Sequence, residues 1–598
     1  MEGSDRSKQG KNQVSTVTTF PIPYALEGFK ENHTSITNSS ISSKEQIINQ
    51  ALKLHSQGNI SEAKKYYQYC IDQGFSNHKI LSNYGSILKD LGNLQEAKLA
   101  TRKAIQLKPD YAEAYCNLGS ILKDLGNLQE AKLATRKAIQ LKPDFAIAHS
   151  NLGGIFIDIG NLQDAELAIR KAIQLKPDLA SAHFNLGIIL KDLEKLYDAE
   201  LATRKAIQLK PDYTEAYTQL GNILRDLGNL DDAELSLRKA IELKPDFADA
   251  YSKLGNILRD LGNLHDAELS LRKAIALKPN FADAYFNLSL IELLKGNYQS
   301  GLDNYEYRFL TNKPIIPHCK REIKKLTNKK LQKENKTLVV TEQGLGDTLQ
   351  YMRFIPYLRN KGFDISFCAQ KKLHTLIKAS EIDPNPLTPD QAKHFLDCDV
   401  IPLLSLPRSL GITPRNSIVS KPYIFPTNKL VKKWKDALSQ EKKTIIGINW
   451  QGNPDVEKNM LRGRSLSLEL FSTLSRNNNL KFVSLQKGFG SEQLKNCSFR
   501  YQFVGCQSEI DSTWDFLENA AIIANCDLII TSDTSIAHLA GGMGKKVWLL
   551  LRDIPYWTWG LEGDSSFWYP SMRLFRQKER HNWNEVMNRV SEQLNNEM

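Results

Sequence analysis

The 598-residue chain is 41% hydrophobic and 24% charged, a globular composition with room for three to five units of roughly 100–200 residues. Eight cysteines without a CxxC pair, and the lack of any apolar run of about 18 residues, exclude a disulfide scaffold, a cysteine-rich zinc module and a transmembrane helix. Lys and Arg total 79 against 67 Asp and Glu, and the surplus lies wholly in residues 312–598, which hold 41 basic and 29 acidic side chains while 44–311 hold 34 of each.

With no apolar leader at the N-terminus, the expectation is a cytoplasmic protein, at most peripheral to the inner face of the membrane. The basic half favours an anionic partner. Residues 1–43 are rich in Ser, Thr, Asn and Gly without apolar periodicity and predict a disordered polar tail.

From residue 44 to 311 the sequence repeats itself. Pro109, Pro143, Pro177, Pro211, Pro245 and Pro279 fall at intervals of 34 residues, and Gly58, Gly92, Gly126, Gly160, Gly228, Gly262 and Gly296 keep the same period, with Glu194 in one glycine's place. One unit, 112–145, reads AEAYCNLGSILKDLGNLQEAKLATRKAIQLKPDF. A first helix should stop at Gly126. Asn127 should cap a second, with Glu130 completing a capping box, and that helix should end before Pro143. Gly119 and Ala131 leave room for the two helices to approach, as Ala138 does for the next repeat. The pattern resembles the tetratricopeptide repeat, about eight units with degenerate ends.

Two residues before the small residue of the first helix stand Asn83, Asn117, Asn151, Asn185 and Asn287, with Gln219 and Lys253 interrupting. An amide at that phase is expected on the concave side, where it can pair with an extended peptide backbone. A similar asparagine ladder lines the repeats of the O-linked N-acetylglucosamine transferases. The competing reading is that copied repeats copy their asparagines without use.

Residues 312–336 form a basic linker, after which short apolar runs alternate with helical stretches, as in a parallel α/β sheet. The run 337–341 (TLVVT) leads into Glu342, Gln343, Gly344, Leu345, Gly346 and Asp347 and then an amphipathic helix, with Asp347 expected at its N-cap. The run 444–450 (TIIGINW) ends in Gln451, Gly452 and Asn453, with Arg462 and Arg464 following before a helix expected from Ser465. The run 527–531 (DLIIT) enters Asp533, Thr534, Ser535 and His538, hydroxyls and free N–H groups gathered at a helix N-terminus that suits an anion. Open α/β sheets bind ligands at such carboxyl ends of strands.

EQGLGDTLQYMRFIPYL, GINWQGNP…RGRSLSLE and DFLENAAIIANCDLIITSDTSIAHLAGGMGKKVWLLL together resemble glycosyltransferase family 9, the heptosyltransferase-like enzymes, over about 337–597. The ending WTWGLEGDSSFWYPSMRLFRQKERHNW resembles the branch of that family fused to tetratricopeptide repeats. The resemblance implies a GT-B architecture of two Rossmann-like lobes, here 337–425 (short) and 426–598 (nucleotide-sugar binding). It also implies inverting sugar transfer without metal or cofactor, from a nucleotide-diphosphate donor. Asp347 matches the family's candidate base. Asp533, Thr534, Ser535 and His538 match its donor segment, with Gln343, Gly344, Gly346, Trp450, Gln451, Asn453 and Arg464 as further donor contacts. Each has a plainer reading as a cap or core residue. Trp557, Trp559, Trp568, Tyr569 and Trp583 are expected in the core.

The fold class expected is therefore an α-solenoid followed by a two-lobed α/β module. Its function would be transfer of a sugar to a glycan or protein acceptor, with the repeats recruiting acceptor or partner. The alternative is a non-catalytic adaptor whose second half only binds a nucleotide-sugar. The DxD at Asp397–Asp399 is too common a triplet to carry a metal site, zinc spacing and a GxSxG elbow are missing, and no nucleic-acid-binding module is visible.

Overall fold

The computed structural model describes residues 43–74, 77–320, 331–395, 398–418, 421–459 and 463–597. The polar tail up to residue 42, part of the basic linker, Asp397 and Arg462 lie outside them.

Sixteen helices, from Ser43–Ser56 to Tyr298–Tyr305, form eight antiparallel pairs among the described residues. In the unit 112–145 the helices are Ala112–Asp124 and Leu128–Leu141. Gly126 takes φ +77°, so the chain reverses there, and the Asn127 N–H returns to the Leu122 carbonyl at 2.8 Å. Glu194 holds the same left-handed conformation at φ 59°, which a residue with a Cβ adopts at a cost of roughly 1 kcal/mol. The second helix stops at Leu141 because Lys142 is already extended (φ −141°) ahead of Pro143. A side chain at Gly119 would collide with the Thr135 hydroxyl and lie 3.2 Å from the Ala131 carbonyl, so the small residue does set the approach of the pair.

The expected capping box is not formed. At Asn127 the backbone turns with ψ 60° instead of extending, and its side chain makes no cap bond. Of the corresponding residues, Asn161 does accept from the Asp164 N–H.

The chain divides into two compact units, 1–253 and 254–598. The last repeats thus belong to the same unit as the α/β part. Within it, Leu290, Leu294, Tyr298, Leu302 and Tyr305 share one buried core with Phe354, Phe367, Trp434 and Trp557.

Among the described residues eight parallel strands make two sheets. The first has the order β2–β1–β3, built from β1 (Thr337–Val340), β2 (Ile365–Cys368) and β3 (Asp399–Pro402). The second has the order β5–β4–β6–β7–β8, from β4 (Thr444–Asn449), β5 (Leu480–Ser484), β6 (Leu528–Ser532), β7 (Val547–Leu551) and β8 (Met572–Arg576). Of these, β1, β4 and β6 lie within a residue of the three runs read from sequence; the other five strands were not singled out there. β1, β4, β6 and β7 are buried along nearly their whole length, which is why their sequences read as almost continuous apolar runs, whereas the edge strands β3 and β8 are partly open.

Candidate functional site

Strand order fixes where a ligand can enter. In the first sheet the chain passes from β1 to one side (β2) and then the other (β3). In the second, β4 has β5 on one side and β6 on the other. Each reversal opens a crevice at the carboxyl ends of the strands. The loop 341–346 follows β1, and the segments 450–453 and 533–535 follow β4 and β6. Two of these come together: a Cβ on Gly346 would sit 3.0 Å from the His538 ring and 3.6 Å from the Cα of Ser535. Glycine at 346 lets the helix Leu345–Tyr351 rest on the helix Ser535–Gly542.

Gly344 is the N-cap of Leu345–Tyr351, and Asp347 lies in its first turn instead of at the cap as expected. One carboxylate oxygen, Oδ2, accepts the Gly344 N–H at 3.1 Å. Burial pushes the Asp347 carboxyl up to about 6; the Gly344 N–H and Arg464 oppose that rise, and the charge of Asp533 adds to it. Gln343 turns its amide away to donate to Tyr305 Oη at 2.9 Å, while its carbonyl takes the Gln370 amide at 3.0 Å. Gln343 therefore shapes the loop.

On the opposite side, Thr534 precedes Ser535–Gly542 in extended conformation and does not cap it. Its hydroxyl donates to Asn449 Oδ1 at 2.8 Å, so no side-chain cap occupies the N–H groups that open this helix. Asp533 is buried, which raises its carboxyl, while Arg464 counteracts. The Arg464 guanidinium donates to the Asp533 carbonyl at 3.0 Å and pairs with Glu457 at 3.2 Å; Gly452 lies directly against it. His538 is stacked on Trp559 (5.2 Å, 22°) with Nδ1 3.0 Å from Tyr569 Oη. Burial, helped by Arg353 and Arg464, drops its pKa to about 3, so the imidazole is neutral. Arg464, Asp533, Thr534, Ser535, His538, Gly346 and Asp347 thus form one cluster.

Other candidates fall elsewhere. The Trp450 side chain is fully buried among Ile448, Leu468 and Trp548, so only its backbone borders the crevice; the alternation of β4 points it to the far face. Gln451 accepts from Gln493 at 3.2 Å, and exposed Asn453 accepts the Asp455 N–H at 3.0 Å. Ser465 starts no helix; its hydroxyl joins Glu457 and takes the Gly452 N–H at 2.9 Å. Trp557, Trp559, Trp568, Tyr569 and Trp583 are buried as expected. Asp399 is held by Asn335 at 2.9 Å.

The asparagine ladder is inside the stack, not on its groove. Asn83, Asn117, Asn151 and Asn185 are at most 1% exposed. Asn83 donates to Tyr67 Oη at 3.3 Å, Asn117 to Ser82 Oγ at 3.1 Å and Asn151 to Cys116 Sγ at 3.3 Å, each across to the preceding repeat. Neither amide atom of buried Asn185 finds a partner. Asn287 is half-buried. Asn83, Asn117 and Asn151 thus join repeats to one another, and burial closes all four of the amides at 83, 117, 151 and 185 to a peptide.

Sequence reasoning passed over the residues that brace the glycine loop. Arg308 is wholly buried between Glu306 (2.8 Å) and Glu342 (2.9 Å), with Ser405 at 2.8 Å. Glu342 in turn accepts the Leu403 and Leu404 N–H groups at 3.1 and 3.3 Å. Tyr305, just before Arg308 at the end of the last repeat helix, meets Tyr556 hydroxyl to hydroxyl at 3.2 Å. The one sequence signal was the acidic Glu342 closing an apolar strand, a position where a charge needs a buried partner.

Comparison with known proteins agrees for the repeats. The TPR repeat family matches residues 85–126, 221–262 and 255–296, and the tetratricopeptide repeat family matches 112–145, 146–179 and 180–213. The first part of the chain is thus an array of tetratricopeptide repeats. Protein FlbA of Caulobacter vibrioides is 25% identical over 339 residues, 51% of this chain and 53% of FlbA. The chain spans about half the length of that curated relative. Among solved structures, YrrB, described as a TPR protein with an unusual peptide-binding site, is 28% identical over 31% of this chain and 95% of its own, with a TM-score of 0.26. A tetratricopeptide repeat protein from Parabacteroides merdae is 20% identical over 42% and 98%, with a TM-score of 0.34. No described helix is long and apolar enough to cross a membrane.

Proposed function

We propose that the second half is a glycosyltransferase that moves a sugar from a nucleotide-diphosphate donor to an acceptor hydroxyl, inverting at the sugar carbon and using no metal. Asp347 takes the hydroxyl proton. The freed oxygen bonds to the anomeric carbon as the bond from that carbon to the diphosphate breaks. The departing charge falls on the uncapped N-terminus of Ser535–Gly542 and on Arg464. Neutral His538 adds a hydrogen bond without competing for the charge. The observation that supports this reading is the meeting of the β1 and β6 loops, which sets a carboxyl of raised pKa beside a helix end that no side chain caps.

Tetratricopeptide repeats present surfaces to proteins and peptides, and here they would recruit the acceptor or a partner through groups other than the buried asparagines. The acceptor is a glycan or a protein. A second reading, an adaptor that binds a nucleotide-sugar without turning it over, draws on the first sheet having only three strands.

Titration calorimetry of the full chain against UDP-, GDP-, ADP- and dTDP-sugars tests both. The transferase reading expects one donor to bind, to be consumed in EDTA, and to bind Asp347→Asn without turnover. Activity lost to chelator and restored by magnesium removes the metal-free mechanism. Binding of no donor leaves the adaptor.

A further inference from the structure

The second helices of the repeats carry apolar side chains where solvent-facing residues belong. Leu99, Leu133, Leu167, Leu201 and Leu235 recur every 34 residues and are 59–68% exposed. Each sits at the middle of the outer face of its helix, between small residues that pack inward, such as Ala165 and Ala168 around Leu167. The row exposes on the order of 500 Å² of apolar surface, the scale at which a patch marks an interaction site.

Charge flanks the row in a fixed sense. One turn towards the helix N-terminus stand Glu130, Asp164 and Asp198; one turn towards the C-terminus stand Arg136, Arg170 and Arg204, and all six are exposed. Arg170 and Arg204 pair with Glu166 and Glu200 on their own helices at 2.7 and 2.8 Å. The carboxylates of these pairs are only 17% and 20% exposed, but the arginines are about half exposed and keep donors for a second carboxylate, while Glu130 takes Arg102 of the preceding repeat at 3.3 Å in an exposed, weakly held pair.

We propose that this row is an interface between two copies of the chain. A surface with an acidic edge, an apolar centre and a basic edge complements itself when turned over about an axis running along the row. The acidic edge of one copy then faces the basic edge of the other, and leucine meets leucine. Turning about the perpendicular axis would oppose acid to acid, so the charges select the first arrangement. In it the two repeat stacks run in the same direction, with their outer helices antiparallel across the contact. The occupant is a second copy because only a partner with the same 34-residue period can meet every leucine and every charge pair at once. With the flanking polar rows included, the contact approaches the roughly 800 Å² per partner of a standard interface.

Sedimentation equilibrium of the full chain at about 1–50 μM tests this, the range in which such interfaces associate. A dimer is expected. Leu133→Gln, Leu167→Gln and Leu201→Gln together should weaken it by about 100-fold or more with the helical circular dichroism unchanged, as removal of a central apolar anchor does. Asp164→Arg with Asp198→Arg should weaken it too, and adding Arg170→Asp and Arg204→Asp should restore it, a gain that a merely misfolded variant would not show. A wild-type monomer at the top of that range overturns the proposal. So does a dimer indifferent to the leucines, and failure of the fourfold exchange to restore association overturns the alignment.

Discussion

A carboxyl that accepts a proton during turnover works best with a pKa near the working pH, and burial sets Asp347 there, at about 6. On the proposed transferase reading its protonated form is inactive as the base, so sugar transfer should fall about tenfold per pH unit below that value. The neighbours define the sign of further change. Asp533→Asn removes a negative charge that raises the Asp347 pKa and should move the acid limb of the kcat/KM profile to lower pH. Arg464→Gln removes a positive charge that lowers it and should move the limb upward. A limb that stays in place in both variants belongs to another group. The buried asparagines answer to stability instead. Asn117→Ala and Asn151→Ala each strand or lose a cross-repeat bond and should cost about 1–2 kcal/mol in urea unfolding. Asn185→Ala, with no amide bond to lose, should cost less.

Among the elements, the glycine loop depends most on residues remote in sequence. Arg308 reaches Glu306 through one guanidinium nitrogen, and Glu342 and Ser405 through the other. Arg308→Ala leaves two buried carboxylates unpaired and should cost about 3–5 kcal/mol. Arg308→Lys should recover only part, because an ammonium cannot fork between them. Thermal unfolding of both variants checks the order. The paired repeat helices, the left-handed glycines, the strands β1, β4 and β6 and the glycine loop were legible in the sequence because each follows from a few adjacent residues. The bracing was not: Tyr305 and Tyr556 stand 251 positions apart, and nothing local in either records the other. The asparagines misled for a related reason. Their 34-residue phase places them on the first helix's inner side, but it does not separate the groove from the contact with the preceding repeat; Ser82 and Cys116, one repeat and one residue earlier, decide that.

At the scale of the whole molecule, the last repeats share a core with the α/β part, so a cut at the end of the repeat pattern passes through packed side chains. A fragment beginning at 312 would expose the faces of Trp557 and Phe567 that pack on Tyr298 and Tyr305, and should aggregate; one beginning at 248 should remain soluble with native near-ultraviolet circular dichroism. The same junction gives the repeat array a polarity in time. A row of identical units normally loosens from both ends inward. Here the C-terminal units are fastened into a globular core, so opening can begin only at the Ser43 side. Amide hydrogen exchange should then trace a gradient: fastest in Ser43–Ser56, slowing repeat by repeat, and level from 254 onward, where last repeats and sheets exchange as a single block.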